Sequence, residues 1–135
     1  KLVTNVVGVA RTFPIRVANR YDENGDQVGW SGPHYPDQEE LRWKKDLGLE
    51  PETTTVTKLP RRVFTFSRQQ FEQAHFAAQP DELCLSFAQY PSRLGLERLY
   101  QYLKKAHGAP VTYTTWGPKL TDVVDHRKTG TGGAA

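Results

Sequence analysis

The sequence holds no methionine and a single cysteine, Cys84, and none of its apolar runs approaches the length of a membrane span. One cysteine rules out a disulfide framework and a multi-cysteine metal site, and suits a reducing, cytoplasmic compartment. The opening K-L-V-T-N-V-V-G-V-A has no signal-peptide shape. It reads as a strand already under way, and without an initiating methionine the chain reads as a segment of a longer polypeptide. His34, His75, His107 and His126 are scattered without ligand spacing, so no metal site is assigned to them. Glu39, Glu40 and Glu52 are not spaced as a catalytic pair, and no catalytic residue is assigned within the chain. A large charge excess is missing too: 18 Lys and Arg against 15 Asp and Glu leave +3, which suits anionic small molecules as well as it suits nucleic acid. Arg61, Arg62, Lys104, Lys105, Arg127 and Lys128 form patches without the dense stripe of a duplex binder, which argues against nucleic acid as the partner.

What is present is enough for one ordinary domain. A chain of 135 residues with 37% hydrophobic and 24% charged side chains is long enough to bury a core and has globular composition. No internal repeat is visible. The tail 129–135, T-G-T-G-G-A-A, is low in complexity and is expected to be disordered, leaving residues 1–128 as the domain.

The most distinctive stretch is 52–62, E-T-T-T-V-T-K-L-P-R-R. Thr53, Thr54, Thr55 and Thr57 bring four hydroxyls next to Lys58, Arg61 and Arg62, with Pro60 stiffening the turn. Hydroxyls and backbone N–H groups are short-range donors, and an arginine fork matches a carboxylate or phosphate through two parallel bonds. The same residues also make good strand sequence with a solvated basic face, and composition alone leaves both readings open.

Along the chain, 3–17 is rich in Val, Ile, Thr and Phe and predicts one or two strands, broken near Gly8 and Pro14. Residues 18–36 predict a long irregular excursion with a turn at Asn24 and Gly25. Asp37 is placed to cap a helix over 38–47 that Gly48 ends. A strand over 62–66, buried through Val63 and either Phe64 or Phe66, precedes a capping box from Ser67 to Gln70 and a helix over 68–78 with Phe71, Ala74 and Ala78 on its inner stripe. Residues 83–87 predict a buried strand. A helix over 91–107 follows, with Leu94, Leu99, Tyr102 and Leu103 inward and Gly108 as its stop, then a strand over 111–116. This order predicts an α/β fold, a mixed or mostly parallel sheet with covering helices, whose ligands gather where strands run into loops.

Four ordered stretches, G-V-A-R-T-F-P-I-R-V, T-T-V-T-K-L-P-R-R-V, L-C-L-S-F-A-Q and T-T-W-G-P, resemble the C-terminal part of the adenylosuccinate synthetase family over about residues 6–124. The wording R-T-F-P-I-R-V and S-G-P-x-Y-P-D-Q is closer to the phage branch, the 2-aminoadenylosuccinate synthetases. The resemblance implies the C-terminal portion of a larger single-domain ligase fold. It also implies a cytoplasmic purine-biosynthetic enzyme, homodimeric at full length, that joins L-aspartate to C6 of a purine mononucleotide, IMP or (d)GMP. A nucleoside triphosphate first phosphorylates the 6-oxygen, and Mg²⁺ neutralises its phosphates. The phosphate loop, the acid/base pair and the Mg²⁺ site of such an enzyme lie outside this chain, which alone is expected to be inactive.

Carried over by resemblance, Arg16 and Val17 meet the mononucleotide ribose. Thr54, Thr55, Thr57, Lys58, Arg61 and Arg62 hold the aspartate, and Ser86, Phe87, Gln89, Trp116, Gly117 and Pro118 hold the donor base. Two departures from the family carry information. The family's T-T-G-R-x-R-R loses its Gly here, and Lys58 or Leu59 stands near the first Arg, which puts the ribose contact in doubt and suits a deoxynucleotide unless Lys58 takes that Arg's place. The family's T-K-L-D becomes S-F-A-Q, so the neutral amide of Gln89 replaces an ionised acceptor for guanine. An amide bonds to an adenine edge, and the donor is therefore expected to be ATP or dATP rather than GTP. The alternative is a non-catalytic module for nucleotides or single-stranded nucleic acid, stacking bases on Tyr90, Tyr113 and Trp116.

Overall fold

The computed structural model describes residues 2–106 and 109–128. His107, the Gly108 stop signal and the tail 129–135 expected to be disordered lie outside the described residues. In chain order the elements are β1 (Val7–Arg11), β2 (Ile15–Arg16), β3 (Arg20–Tyr21), β4 (Gln27–Gly29), β5 (Glu40–Leu41), α1 (Trp43–Leu47), β6 (Arg62–Phe64), α2 (Arg68–Ala78), β7 (Glu82–Ser86), α3 (Arg93–Ala106), β8 (Val111–Thr115), a 3-10 turn (Leu120–Asp122) and β9 (Val123–Asp125). They fall into two compact units: Phe13–Ser67, and the described parts of Lys1–Thr12 with Arg68–Ala135.

The second of these units is an α/β sheet in the order β1-β7-β8-β9. β1 and β8 each run parallel to β7, and β9 closes the edge antiparallel to β8. α3 is the crossover between parallel neighbours β7 and β8, as such a connection requires. Its inward residues are Leu96, Tyr100 and Leu103, spaced four and three apart along one helical stripe. Leu103 is inward as expected, but Leu94 is 59% exposed and Leu96 and Tyr100 take the inner positions, with the Tyr100 hydroxyl donating to the Val111 carbonyl of β8 at 3.4 Å. α2 runs over the expected residues, yet none of its side chains is buried and Ala74 and Ala78 are exposed. Phe71 turns inward as expected, and His75 rather than the alanines accompanies it, their rings 5.8 Å apart.

Leu83 and Leu85 alternate into the core along β7, the pattern that makes 82–86 a strand. Gly8 does not break β1. It pairs with Leu83, and a Cβ there would come within 3.1 Å of Leu83 and Pro80, so it permits close packing. The break falls at Pro14 alone, and residues 2–6 precede the strand.

In Phe13–Ser67, β6 lies between β2 and β5 in a three-stranded antiparallel sheet. Val63 and Phe64 are adjacent, point to opposite faces and are both buried, which fixes β6 as the centre of this unit. The strand-helix-strand order over 62–116 therefore does not build one sheet, because β1 and not β6 joins β7. The expected 38–47 helix shrinks to α1, because Glu40 and Leu41 pair with Phe64 and Val63. Asp37 accepts the Ser67 hydroxyl at 2.7 Å, and the N-cap of α1 is Arg42, whose N–H meets the Asp46 carboxylate at 2.7 Å. Gly48 ends the helix at φ 67°, a left-handed stop that glycine adopts without strain. The excursion 18–36 is partly ordered as the β3–β4 hairpin, with Gly25 at φ 85° in its turn.

Candidate functional site

The parallel pairing of β7 with β8 sets Leu85 opposite Thr114, so the chain leaves the sheet at 86–90 and at 116–118 from neighbouring strand ends. Ala88 donates its N–H to the Thr115 carbonyl at 2.9 Å and is 1% exposed, pinning the two exits together. The residues expected at a donor base are thus assembled along one rim of the sheet, the edge formed by the C-terminal ends of β7 and β8. Ser86 gives its hydroxyl to the Ala10 carbonyl at 3.2 Å. Phe87 is half-buried at φ 59°, Gln89 is exposed, and Tyr90 lies 5.0 Å from the Phe87 ring.

Trp116 is 43% exposed, but its indole N–H is tied to Thr114 Oγ1 at 3.0 Å, and that buried hydroxyl meets His126 Nε2 at 2.9 Å. Gly117 sits in a constrained turn: a Cβ there would lie 2.5 Å from Asp122 Oδ2, closer than side chains tolerate. The same Asp122 oxygen accepts the Lys119 N–H at 2.9 Å, and Pro118 is exposed. Arg11, the last residue of β1, and Thr12, which follows it, also lie at this edge; no sequence expectation named them, although they stand at a strand end as the other loops do.

The hydroxyl-rich stretch is a closed loop within Phe13–Ser67. Thr53 and Pro60 form an antiparallel bridge, Thr54 N–H reaches the Leu59 carbonyl at 2.9 Å, and Lys58 N–H reaches the Thr54 carbonyl at 3.1 Å. The Thr54 and Thr57 hydroxyls bond to each other, and Thr54 Oγ1 also accepts the Leu59 N–H at 3.1 Å. Thr55, Val56, Thr57 and Lys58 form the exposed tip, with Lys58 at φ 55°. The base of the loop is fixed by Trp43, whose indole N–H donates to the Arg61 carbonyl at 2.7 Å.

Arg61 and Arg62 line a cleft of about 260 Å³ together with Ala18, Asn19, Tyr21 and Glu40, so the loop base faces the segment just after Val17. The two arginines differ. Arg61 is half-buried, with Nε 3.3 Å from the Thr53 carbonyl. Arg62 is committed: Nε and Nη2 grip the Glu40 carboxylate at 2.8 and 2.9 Å, and Nη1 donates to Ser31 Oγ and the Gly32 carbonyl, each at 2.8 Å. These bonds hold the Glu40 carboxyl below its ordinary range, assisted by the Arg62 charge and against partial burial. Arg16 donates to the Ser31 carbonyl at 3.1 Å, bracing the same turn, while Val17 is exposed. Glu40 and Ser31 had no distinguishing signal in the sequence, because only the fold brings them to Arg62.

A mostly parallel α/β sheet with polar and aromatic side chains at its strand ends places this unit in the class of α/β folds that gather ligands where strands run into loops, here a portion of a larger fold. The comparisons give that class a particular resemblance. The chain is 49% identical over 129 residues to the N6-succino-2-amino-2'-deoxyadenylate synthase of Salmonella phage PMBT28, covering 90% of this chain and 35% of that protein. It is 53% identical over 122 residues to that of Cyanophage S-2L, covering 90% and 32%. A solved structure of the Cyanophage S-2L succinoaminodeoxyadenylate synthetase, PurZ, bound to dGMP and to dATP as energy donor, matches with a TM-score of 0.79 at 51% identity over 90% of this chain and 33% of its own. No family model matches. The chain spans about a third of the length of the curated relatives it matches, and the resemblance to the phage branch that its motifs carried is borne out.

Proposed function

We propose that this chain is the recognition segment of a ligase that joins L-aspartate to C6 of dGMP, with dATP or ATP as the phosphate donor. The supporting observation is the β7–β8 pairing, which gathers 86–89 and 116–118 at one edge in a chain half identical to a synthetase bound to dGMP and dATP. In the proposed reaction the donor phosphorylates the purine 6-oxygen, the aspartate amine attacks C6, and phosphate leaves with that oxygen. The segment's task is to hold the donor base, the ribose and the dicarboxylate.

The exposed amide of Gln89 offers both a donor and an acceptor to an adenine edge, whereas guanine's N1–H and 2-amino group call for an ionised acceptor. Phe87 and Trp116 supply faces for stacking, and Ser86 with Gly117 and Pro118 shapes the two turns beside them. For aspartate, the Thr55 and Thr57 hydroxyls, Lys58 and Arg61 carry the contact, with Thr54 closing the loop. Arg62 and Arg16 act as fixed positive charges that brace the 31–32 turn, and Val17 presents main chain to the deoxyribose.

Mg²⁺ supplies phosphate neutralisation in such a reaction. Among the described residues no three His, Cys, Asp or Glu side chains are grouped to hold an ion.

Calorimetric titration of the full-length protein tests this reading. Tighter binding of dATP than of GTP is expected, together with phosphate release that requires dGMP, aspartate and donor at once. Tighter GTP binding overturns the donor assignment, and phosphate release indifferent to aspartate overturns the ligase.

A further inference from the structure

Two residues at the end of β1 converge on Phe87 without having been assigned any part in recognition. Arg11 lays its guanidinium 3.7 Å from the Phe87 ring centroid, well inside cation–π range. Tyr90 is 5.0 Å from the same ring, and Arg11 is 5.8 Å from Tyr90. These three lengths close a triangle with nearly a right angle at Phe87. Arg11 therefore covers a ring face while Tyr90 flanks it.

Thr12, the next residue, is 2% exposed and gives its hydroxyl to the Phe87 carbonyl at 2.7 Å and its N–H to the Ser86 carbonyl at 3.1 Å. Those bonds hold a backbone that needs holding: Phe87 stands at φ 59°, a left-handed conformation unfavourable for a bulky residue. A strained residue of this kind persists only where its surroundings over-determine it, and such residues cluster at ligand sites. A buried hydroxyl on its carbonyl, a guanidinium on its ring and the adjacent Ala88 N–H on β8 are that over-determination.

We infer that Arg11 and Thr12 are positioning residues for the purine of the phosphate donor. Thr12 locks the left-handed turn and Arg11 fixes the plane of the ring, so that Phe87 meets the base already oriented and little ordering is left for binding to supply. This rests on the donor-site reading above.

The test uses the full-length protein with Arg11→Ala, Thr12→Val and Thr12→Ser, each checked for folding by its thermal midpoint. Arg11→Ala and Thr12→Val are expected to weaken dATP binding and raise the donor KM by about fivefold to tenfold, while kcat and the KM values for dGMP and aspartate stay within about twofold. Thr12→Ser keeps the hydroxyl and is expected to restore the donor KM. An unchanged donor KM in folded Arg11→Ala, an equal rise in all three KM values, or a Thr12→Ser as poor as Thr12→Val overturns the inference. If Thr12→Val does not fold, Arg11→Ala against Arg11→Lys decides it, since lysine keeps the charge but not the planar contact. Wild-type protein that does not bind dATP brings down both readings; wild type that binds it alongside indifferent variants brings down this one alone.

Discussion

The sheet edge and the threonine loop are built by opposite means. At the edge, the aromatics are tied to buried groups: the Phe87 backbone to Thr12, the Trp116 indole to Thr114, and the two exits to each other through Ala88. In the loop the hydroxyls bond to one another and to their own backbone, and Val56 at the tip is 90% exposed. A side chain fixed to a core shares the core's opening free energy, whereas a surface loop opens locally at much lower cost. The edge is therefore pre-formed, as the proposed base site requires, and the loop can adjust, as the proposed aspartate site allows.

The heaviest blow to this contrast comes from the core under the edge. Leu85 is fully buried one residue before Ser86, and truncating a buried leucine leaves a cavity as well as lost transfer free energy. Leu85→Ala is expected to cost about 2–5 kcal/mol of stability, read as a lower urea midpoint with unchanged slope, and to weaken dATP binding with it. An edge that keeps its dATP affinity despite that loss would not owe its geometry to the core.

The two regions also differed in how far the sequence disclosed them. The edge was legible because local pattern and tertiary pairing agree there: L-C-L-S-F reads as a buried strand and V-T-Y-T-T-W as a strand, and parallel neighbours place their ends together. Arg11 and Thr12 escaped notice because β1 was expected to break at Gly8, which hid its register beside β7. In Phe13–Ser67 local signals misled. Asp37 looks like a helix cap, but strand pairing with Phe64 and Val63 claims the residues after it. Arg62 looks like a ligand arginine, and only tertiary contact reveals that Glu40 already holds its fork. The inner stripes of α2 and α3 were only partly right, at Phe71 and Leu103 but not at Ala74, Ala78 or Leu94, for a simpler reason: an aliphatic residue at helical spacing does not say which of two adjacent stripes meets the sheet.

A gentler blow falls on that ion pair. Glu40→Gln keeps the shape but removes the charge facing Arg62, whose side chain is 10% exposed against 43% for Glu40. Solvent screening at the glutamate limits the cost to about 1 kcal/mol. The cost depends on pH in a defined direction. Because the bonds from Arg62 lower the Glu40 pKa in the folded chain, the stabilisation is fully present above the unfolded glutamate value and fades as pH falls through the lowered one. Wild type and Glu40→Gln should differ in urea midpoint at neutral pH and converge in acid. A difference that persists in acid would assign the effect to hydrogen bonding without charge.

The smallest expected change in stability falls at the loop tip, where it is also the most discriminating. Thr57→Val removes an exposed hydroxyl whose partner is Thr54, itself also bonded to the Leu59 N–H. Surface substitutions of this kind stay within about 0.5 kcal/mol, so the urea midpoint should hardly move. If the loop holds aspartate, the KM for aspartate should still rise, because a charge-assisted bond to a carboxylate is lost, while the donor KM stays fixed. The pattern is the reverse of that expected for Thr12→Val, where a buried hydroxyl controls the donor and leaves aspartate alone. Should Thr57→Val instead lower the urea midpoint and leave both KM values unchanged, the threonines would be bracing a turn, and the loop would have no more claim to a ligand than any other tight surface hairpin.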